Sequence, residues 1–335
     1  MTLYAPQRLF AVDEASQIAA VRRAGTALAE SVGFDAARVG RVALVITEAA
    51  TNILKHADRG SILLRAVAHQ GAGGVEILAI DSGPGIANLA LRMEDGNSTV
   101  GTYGGGLGTM LRQSDEFDIY TAVGSGVVLC MRVWHTSASA VPPRPAVGVV
   151  CLPMGGEDVS GDAWAVVESA GCLSALVADG LGHGPEAARA SDAAVSAVQA
   201  HPTLAPTEMM WKLDAALRST RGAAVAIGRI DLHTRELHYA GVGNICASIY
   251  RGEDRRHLVS HNGIVGSNMR KVQEFGFPWT EETLLVMHSD GVGTRWDLKS
   301  YPGLVHRHPG VIAAVLYRDF CRGNDDAAVL VVRER

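Results

Sequence analysis

The chain is 335 residues long, 47% hydrophobic and 19% charged, with a net charge of −5 at pH 7. At ~100–200 residues per domain, that length suggests about two domains, each apolar enough to build its own core. The mild charge, without any long run of Lys or Arg, gives no electrostatic support to a nucleic-acid or anionic-membrane partner, and both are set aside. In chain order, helical patterns at about 14–32 and 37–57 come first. β-rich runs at 61–68, 75–80, 117–123 and 127–134 follow, giving helices over one antiparallel or mixed sheet.

A break comes at 136–146, where small residues and Pro142, Pro143 and Pro145 follow the run from Val127 to Trp134. It divides the chain into an expected domain at 1–135, a linker at 136–146 and a second domain at 147–335. Downstream, strand-like runs at 147–152, 163–168, 172–178, 223–230, 236–241, 245–250, 284–288 and 327–333 are interrupted by helical stretches at about 184–200, 206–218 and 309–321. That many strands exceed one sheet, so the second half reads as two sheets covered by helices. The N-terminus Met1-Thr2-Leu3-Tyr4-Ala5-Pro6-Gln7-Arg8 lacks the marks of a signal peptide and no apolar run reaches ~18 residues, so a cytoplasmic location is expected. Cys130, Cys151, Cys172, Cys246 and Cys321 are odd in number and widely spaced, which fits reduced core residues.

In the second helical pattern, Val39, Val42, Ile46, Ala49 and Ile53 form the apolar stripe of a helix packed on a sheet. Glu48 and Asn52, four apart, share another face. From there a carboxylate can act as base toward an attacking hydroxyl, and an amide oxygen can ligate a Mg²⁺ bridging nucleotide phosphates. Alone, the pair reads first as an exposed polar face extended by Lys55 and His56. Asp81 closes the run Val75 to Ile80, and Gly83 and Gly85 allow a tight turn close to a flat ligand, where a carboxylate can accept the exocyclic amine of adenine. The stretch from Asp95 through Thr99 to Gly104-Gly105-Gly106-Leu107-Gly108 runs into a helix near Thr109, an arrangement suited to phosphates.

In this order and spacing the three elements resemble the GHKL ATPase superfamily: its N-box (Glu48, Asn52), adenine box (Asp81, Gly83, Gly85) and lid glycines (Gly104, Gly106, Gly108). The run Asp95-Gly96-Asn97-Ser98-Thr99, the lid and Asp115-Glu116-Phe117-Asp118 look most like the RsbT-type serine/threonine kinases of bacterial stress signalling. The resemblance covers about 8–134 and implies an α/β sandwich, with ATP and Mg²⁺ bound by Asn52, Asp81, Gly83, Gly85, Thr99, Gly104, Gly106 and Gly108. It also implies Glu48 as catalytic base and phosphate transfer to Ser or Thr of a STAS-domain antagonist.

In the second half, Asp162, Asp179, Asp290 and Asp325 each adjoin an apolar strand-like run. Acidic residues at the ends of several strands of one sandwich converge, and hard oxygen ligands select Mg²⁺ or Mn²⁺. Two such ions ~3.5–4 Å apart can position a hydroxide for in-line attack on a phosphate ester. The segments SGD-x-W, VADGLGHGPEAA, HSDGV and NDDAAVLVV resemble the PPM metal-dependent serine/threonine phosphatases, in their SpoIIE/RsbX-like branch, over about 147–335. That implies an αββα four-layer sandwich and two ions of Mn²⁺ or Mg²⁺. Asp162, Asp179, Asp290 and Asp325 would ligate them with the Gly180 carbonyl, and Asp326 would stand behind. Ala328 departs from the Thr that many relatives carry. His183 reads first as a structural or solvated loop residue, with an approach to the substrate phosphate as the other reading. Arg218, Arg221 and His261 have no supporting motif.

The expected protein is a bifunctional regulator of partner-switching or stressosome signalling, phosphorylating and dephosphorylating STAS-domain proteins. The alternative is a phosphatase regulated by a non-catalytic, anti-sigma-like ATP- or partner-binding half, with a sigma factor or another switch protein as possible partner.

Overall fold

The computed structural model describes residues 6–57, 59–69, 71–89, 93, 106–135 and 145–334. One compact unit takes in residues 6–135 and 306–318, the other 145–305 and 319–334.

In the first unit, strands β1 (Arg8–Val12), β2 (Gly60–His69), β3 (Ala72–Asp81), β4 (Glu116–Thr121) and β5 (Val127–Trp134) form one sheet in the order β1-β2-β3-β5-β4. Every pair is antiparallel, so of the two expected arrangements the sheet adopts the antiparallel one. Helices α1 (Ala15–Ser31), α2 (Ala36–His56) and α3 (Gly106–Gln113) complete the unit. Asp35 starts α2 by accepting the Arg38 N–H at 2.8 Å, and Lys55 and His56 suit its negative C-terminal end. Val42, Ile46, Ala49 and Ile53 pack with Ile62, Ile77, Leu129 and Met131 of the sheet. The stripe thus turns Glu48 and Asn52 away from the sheet.

The sheet's other face is also buried, through Leu63, Leu78, Val128 and Cys130. Glu76 lies there between Arg65 at 2.6 Å and Arg132 at 2.7 Å. Burial alone would raise its pKa, but the two guanidinium groups hold it down at about 2. The helix Pro309–Phe320, read from sequence as part of the second half, contributes residues through Arg318 to this unit. Pro309 through Leu316 are all buried, as befits a helix apolar on every side. At its start Arg307 and the His308 N–H bind Asp118, and His308 Nδ1 lies 3.4 Å from Cys130 Sγ.

The second unit contains β6 (Ala146–Leu152), β7 (Asp162–Ser169), β8 (Cys172–Gly180), α4 (Pro185–Ala200), α5 (Pro206–Leu217), β9 (Ala223–Asp231), β10 (Glu236–Val242), β11 (Cys246–Arg251), β12 (Asp254–Leu258), β13 (Phe275–Pro278), β14 (Thr283–His288) and β15 (Ala327–Arg333). Two five-stranded sheets result, β13-β10-β9-β8-β7 and β12-β11-β14-β15-β6. Alternation along the strands sends Trp164, Val177, Tyr239, Leu285 and Leu330 into the core between them. Ala165, Leu176 and Ile227 face the other way, onto Ala194, Met210 and Leu213 of α4 and α5. Pro185 and Pro206 open those helices at the first turn, where a missing N–H costs nothing.

Candidate functional site

Each unit carries one cluster of the residues singled out in the sequence. In the first, α2 brings Glu48 and Asn52 beside the start of α3. A Cβ on Gly106 would stand 3.2 Å from Asn52 Oδ1 and 3.3 Å from Glu48 Oε2. The pair therefore faces the free N–H groups at a helix start, where anions are favoured. Gly108 is buried within α3. Thr99 and Gly104, with the run 94–103, lie outside the described residues.

Asp81 ends β3 opposite Gly60, and a Cβ on Gly60 would lie 3.0 Å from Ile53 and 3.1 Å from the Asp81 Cβ. Asp81 thus sits beside Ile53 in the last turn of α2. Its Oδ1 accepts N–H groups of Gly83 at 2.9 Å and Val127 at 3.1 Å. Burial raises the pKa of this carboxyl, against the lowering effect of those bonds and of Arg318. Two neighbours of this turn carry no motif. Thr121 Oγ1 accepts the Ile86 N–H at 2.9 Å and donates to the Gly126 carbonyl at 2.9 Å. Arg318 donates to the Asp81 carbonyl at 3.2 Å from a helix far along the chain.

Gly83 is required by space, since its Cβ would lie 2.7 Å from the Ala57 Cβ. Gly85 has φ +70° and its Cβ would fall 2.1 Å from the Ala122 carbonyl oxygen. Gly85→Ala is therefore expected to destabilise this unit by about 2–3 kcal/mol and to weaken adenine-nucleotide binding. Chemical denaturation and a nucleotide titration check it, and unchanged values for both would contradict the described turn.

In the second unit Asp162 and Asp179 are direct partners across β7 and β8. Asp290 follows β14 and Asp325 precedes β15, on the other sheet. Ser289 ties the sheets together: its hydroxyl donates to Asp162 Oδ2 at 2.5 Å and accepts the Ala328 N–H at 2.9 Å. Ala328 itself is buried in the inter-sheet core. Asp326 differs from the other four, because its two oxygens accept the N–H groups of Met154 and Gly161, both at 2.7 Å. Gly180 cannot carry a side chain, since a Cβ would lie 2.1 Å from the Ala187 carbonyl oxygen at the start of α4.

Electrostatics shows the convergence. Burial and then the charges of Asp290, Asp325 and Asp326 raise Asp179 to about 7. Burial and Asp179 push Asp162 well above the usual carboxylate range. Asp290 is raised by burial and Asp325, against the pull of Arg322. Among the described residues no three His, Cys, Asp or Glu side chains form a ready-made metal cage; carboxylates of one sign hold each other off. An all-oxygen set that is buried and then crowded by its own negative charge fits hard divalent cations.

Sequence reasoning missed Asn244, which donates to Asp290 Oδ2 at 2.7 Å, and Glu157, 2.8 Å from His183 Nδ1. Both come from loops without a motif. His183 lines the same pocket as Asp179, Asp290 and Asp325. Arg218 pairs with Asp214 at 3.5 Å, and Arg221 reaches Gly182, where a Cβ would meet its guanidinium at 3.1 Å. His261 bonds through its backbone to Gly241 and Gly243.

The family profile described as Histidine kinase-like ATPase domain matches residues 10–133, and that described as Stage II sporulation protein E (SpoIIE) matches 169–335. Serine/threonine-protein kinase RsbT of Bacillus subtilis (strain 168) is 38% identical over 117 residues, which are 35% of this chain and 88% of that protein. A solved structure from "The bacterial stressosome: a modular system that has been adapted to control secondary messenger signaling" is 28% identical at a TM-score of 0.54, covering 57% of this chain and 100% of that one. RsbX in complex with magnesium is 19% identical at a TM-score of 0.48, covering 56% of this chain and 94% of that one. An identity running through nearly all of RsbT places this chain in the family of RsbT-like serine/threonine kinases, and the part matched by the SpoIIE profile adds a SpoIIE-type PPM phosphatase domain to it.

Proposed function

We propose that the chain is a bifunctional switch in bacterial partner-switching or stressosome signalling, phosphorylating Ser or Thr of STAS-domain antagonists with ATP and removing phosphate from phosphorylated STAS proteins. The observation that carries this reading is that both sites keep their working groups in one chain: Glu48 and Asn52 at a helix start, and four aspartates converging from two sheets. Glu48 would accept the proton of the attacking hydroxyl, and Asn52 would hold Mg²⁺ on the phosphates. Asp81 would receive the adenine amine through Oδ2, because Oδ1 is occupied by Gly83 and Val127. Gly83 and Gly85 let the backbone approach the base, and Thr99, Gly104, Gly106 and Gly108 would line the phosphates.

In the other unit, Asp162, Asp179, Asp290, Asp325 and the Gly180 carbonyl would hold two Mn²⁺ or Mg²⁺. When bound, such ions acidify a water and draw charge off the phosphoryl oxygens. The chain's own part is positional. Ser289 fixes one oxygen of Asp162, Asn244 fixes one of Asp290, and Asp326 pins the loops of Met154 and Gly161.

A second reading, in which the ATP-binding half regulates the phosphatase without transferring phosphate, has one observation in its favour. Residues 306–318, between Asp290 and Asp325 in sequence, belong to the first unit, and Arg318 there holds the backbone of Asp81. The test of the phosphatase role is release of phosphate from a phosphoserine STAS-domain protein with and without a chelator. Release that needs Mn²⁺ or Mg²⁺ is expected, and equal release in the chelator would refute the metal site.

A further inference from the structure

The pocket that holds Asp179, Asp290 and Asp325 is acidic, yet one wall of it carries cations. That wall is made by Asn262, Gly263 and Ile264, from the loop between β12 and β13, and by Leu181 and Gly182, from the turn after β8. Backbone bonds hold these segments to the chain that links α5 to β9. The Leu181 N–H donates to the Gly222 carbonyl at 3.0 Å, and Ala223 and Val265 exchange bonds of 3.0 and 2.9 Å. The Gly266 N–H donates to Asp214 Oδ1 at 2.9 Å.

Three basic side chains stand on this wall. A Cβ on Gly182 would meet the Arg221 guanidinium at 3.1 Å, so that group lies against the pocket lining. A Cβ on Gly263 would stand 3.5 Å from the Met269 Cα, which puts Arg270 one residue from the lining. Met269 and Val272 pack against the apolar layer beneath α4 and α5, and between them Arg270 and Lys271 are left exposed. Arg221 is exposed as well. Among the described residues no carboxylate pairs with any of the three, and Asp214, which stands against the same loop, is engaged by Arg218 and the Gly266 N–H. In a chain of net charge −5, this makes a local positive field at the mouth of an acidic pocket.

The rim stands back from the aspartates. The charges that act on Asp179 are all carboxylates, and the cation that acts most on Asp290 is Arg322. Arg221, Arg270 and Lys271 are thus placed to meet the residues on either side of a phosphorylated Ser or Thr, beyond the phosphate itself. We propose that these three side chains form a docking rim for the phosphoprotein substrate, selecting carboxylates that flank the phosphorylated residue. This rests on the phosphatase reading above.

The probes are two phosphoserine peptides of equal length, one with Asp and Glu on both sides of the phosphoserine and one with Asn and Gln there, together with p-nitrophenyl phosphate, all assayed with Mn²⁺. At low ionic strength the acidic peptide is expected to show a kcat/KM ~5–30-fold above the neutral one, mainly through KM, since each exposed charge pair contributes a factor of a few. At about 1 M salt, where the screening length falls to ~3 Å, the preference should nearly vanish. Arg221→Glu combined with Arg270→Glu should reverse the preference and leave hydrolysis of p-nitrophenyl phosphate within about 2-fold of wild type. Both side chains are exposed, so the double variant keeps its core. No preference in the wild type, or one that the double variant leaves unmoved, would overturn the rim while the phosphatase reading stands. An equal loss on peptides and p-nitrophenyl phosphate would overturn it too, by putting these residues at the reacting phosphate. A wild-type protein that hydrolyses none of the three with Mn²⁺ would overturn both readings.

Discussion

Glu48→Ala is expected to remove phosphate transfer to a protein hydroxyl, by ~10²–10⁴-fold, while ATP affinity changes by no more than a few-fold. The size follows from the role, since a base acts on the reacting proton and contributes little to holding the nucleotide. The sparing of affinity follows from the structure. Asp81 and its turn lie at the C-terminal end of α2, apart from the Glu48 carboxylate beside Gly106. Removing a carboxylate next to a helix start also takes a negative charge from the place where triphosphate would sit, so binding should tighten if it moves at all. Isothermal titration with ATP and a phosphotransfer assay check the two halves of this expectation. Transfer at wild-type rate would make another group the base, and lost ATP binding would make Glu48 a ligand.

The second large effect concerns the metal-free phosphatase unit and its pH dependence. An acid whose pKa rises on folding costs stability wherever it must ionise in the native state. Asp179 moves from 3.8 to about 7, so the metal-free unit should lose stability as pH rises between about 4 and 7, level off above that, and regain it on acidification. The cost at pH 8 is about 4 kcal/mol at most, from that shift and the energy of one pKa unit. Asp179→Asn should therefore raise the melting temperature of the metal-free unit at pH 8 by several degrees, and flatten its dependence on pH. It should also remove most of the stabilisation that Mn²⁺ gives the wild type. Calorimetry at several pH values with a chelator checks this. A melting temperature that rises with pH across the window would contradict the crowding of the aspartates.

What was legible in the sequence was legible for local reasons. The stripe Val42, Ile46, Ala49 and Ile53 fixes which face of α2 is buried, so the direction of Glu48 and Asn52 follows from periodicity. Asp162, Asp179, Asp290 and Asp325 adjoin apolar runs, and strands that share a sandwich bring their ends together. The unread parts depend on contacts distant in sequence. β1, β12 and β13 are short edge strands, and Asp254-Arg255-Arg256-His257-Leu258 and Phe275-Gly276-Phe277-Pro278 show no clean alternation. The helix Pro309–Phe320 has an apolar surface all round, which says that it is buried but not against what, and its grouping with the first unit had no local signal. Thr121, Asn244, Glu157 and Arg318 act by hydrogen bonds to partners 26 to 237 positions away. No spacing rule reaches so far.

The most direct test of opposed activities in one chain is a phosphate-affinity gel of a STAS-domain substrate incubated with ATP and Mg²⁺ or Mn²⁺ and either wild type, Glu48→Ala or Asp290→Ala. Phosphorylated substrate is expected to accumulate with Asp290→Ala, to be absent with Glu48→Ala, and to disappear when wild-type protein is added to the phosphorylated pool. Absence of phosphorylated substrate with Asp290→Ala, while wild type still hydrolyses a phosphoserine protein with Mn²⁺, would contradict the kinase half of the claim and leave a phosphatase with a nucleotide-binding regulatory unit.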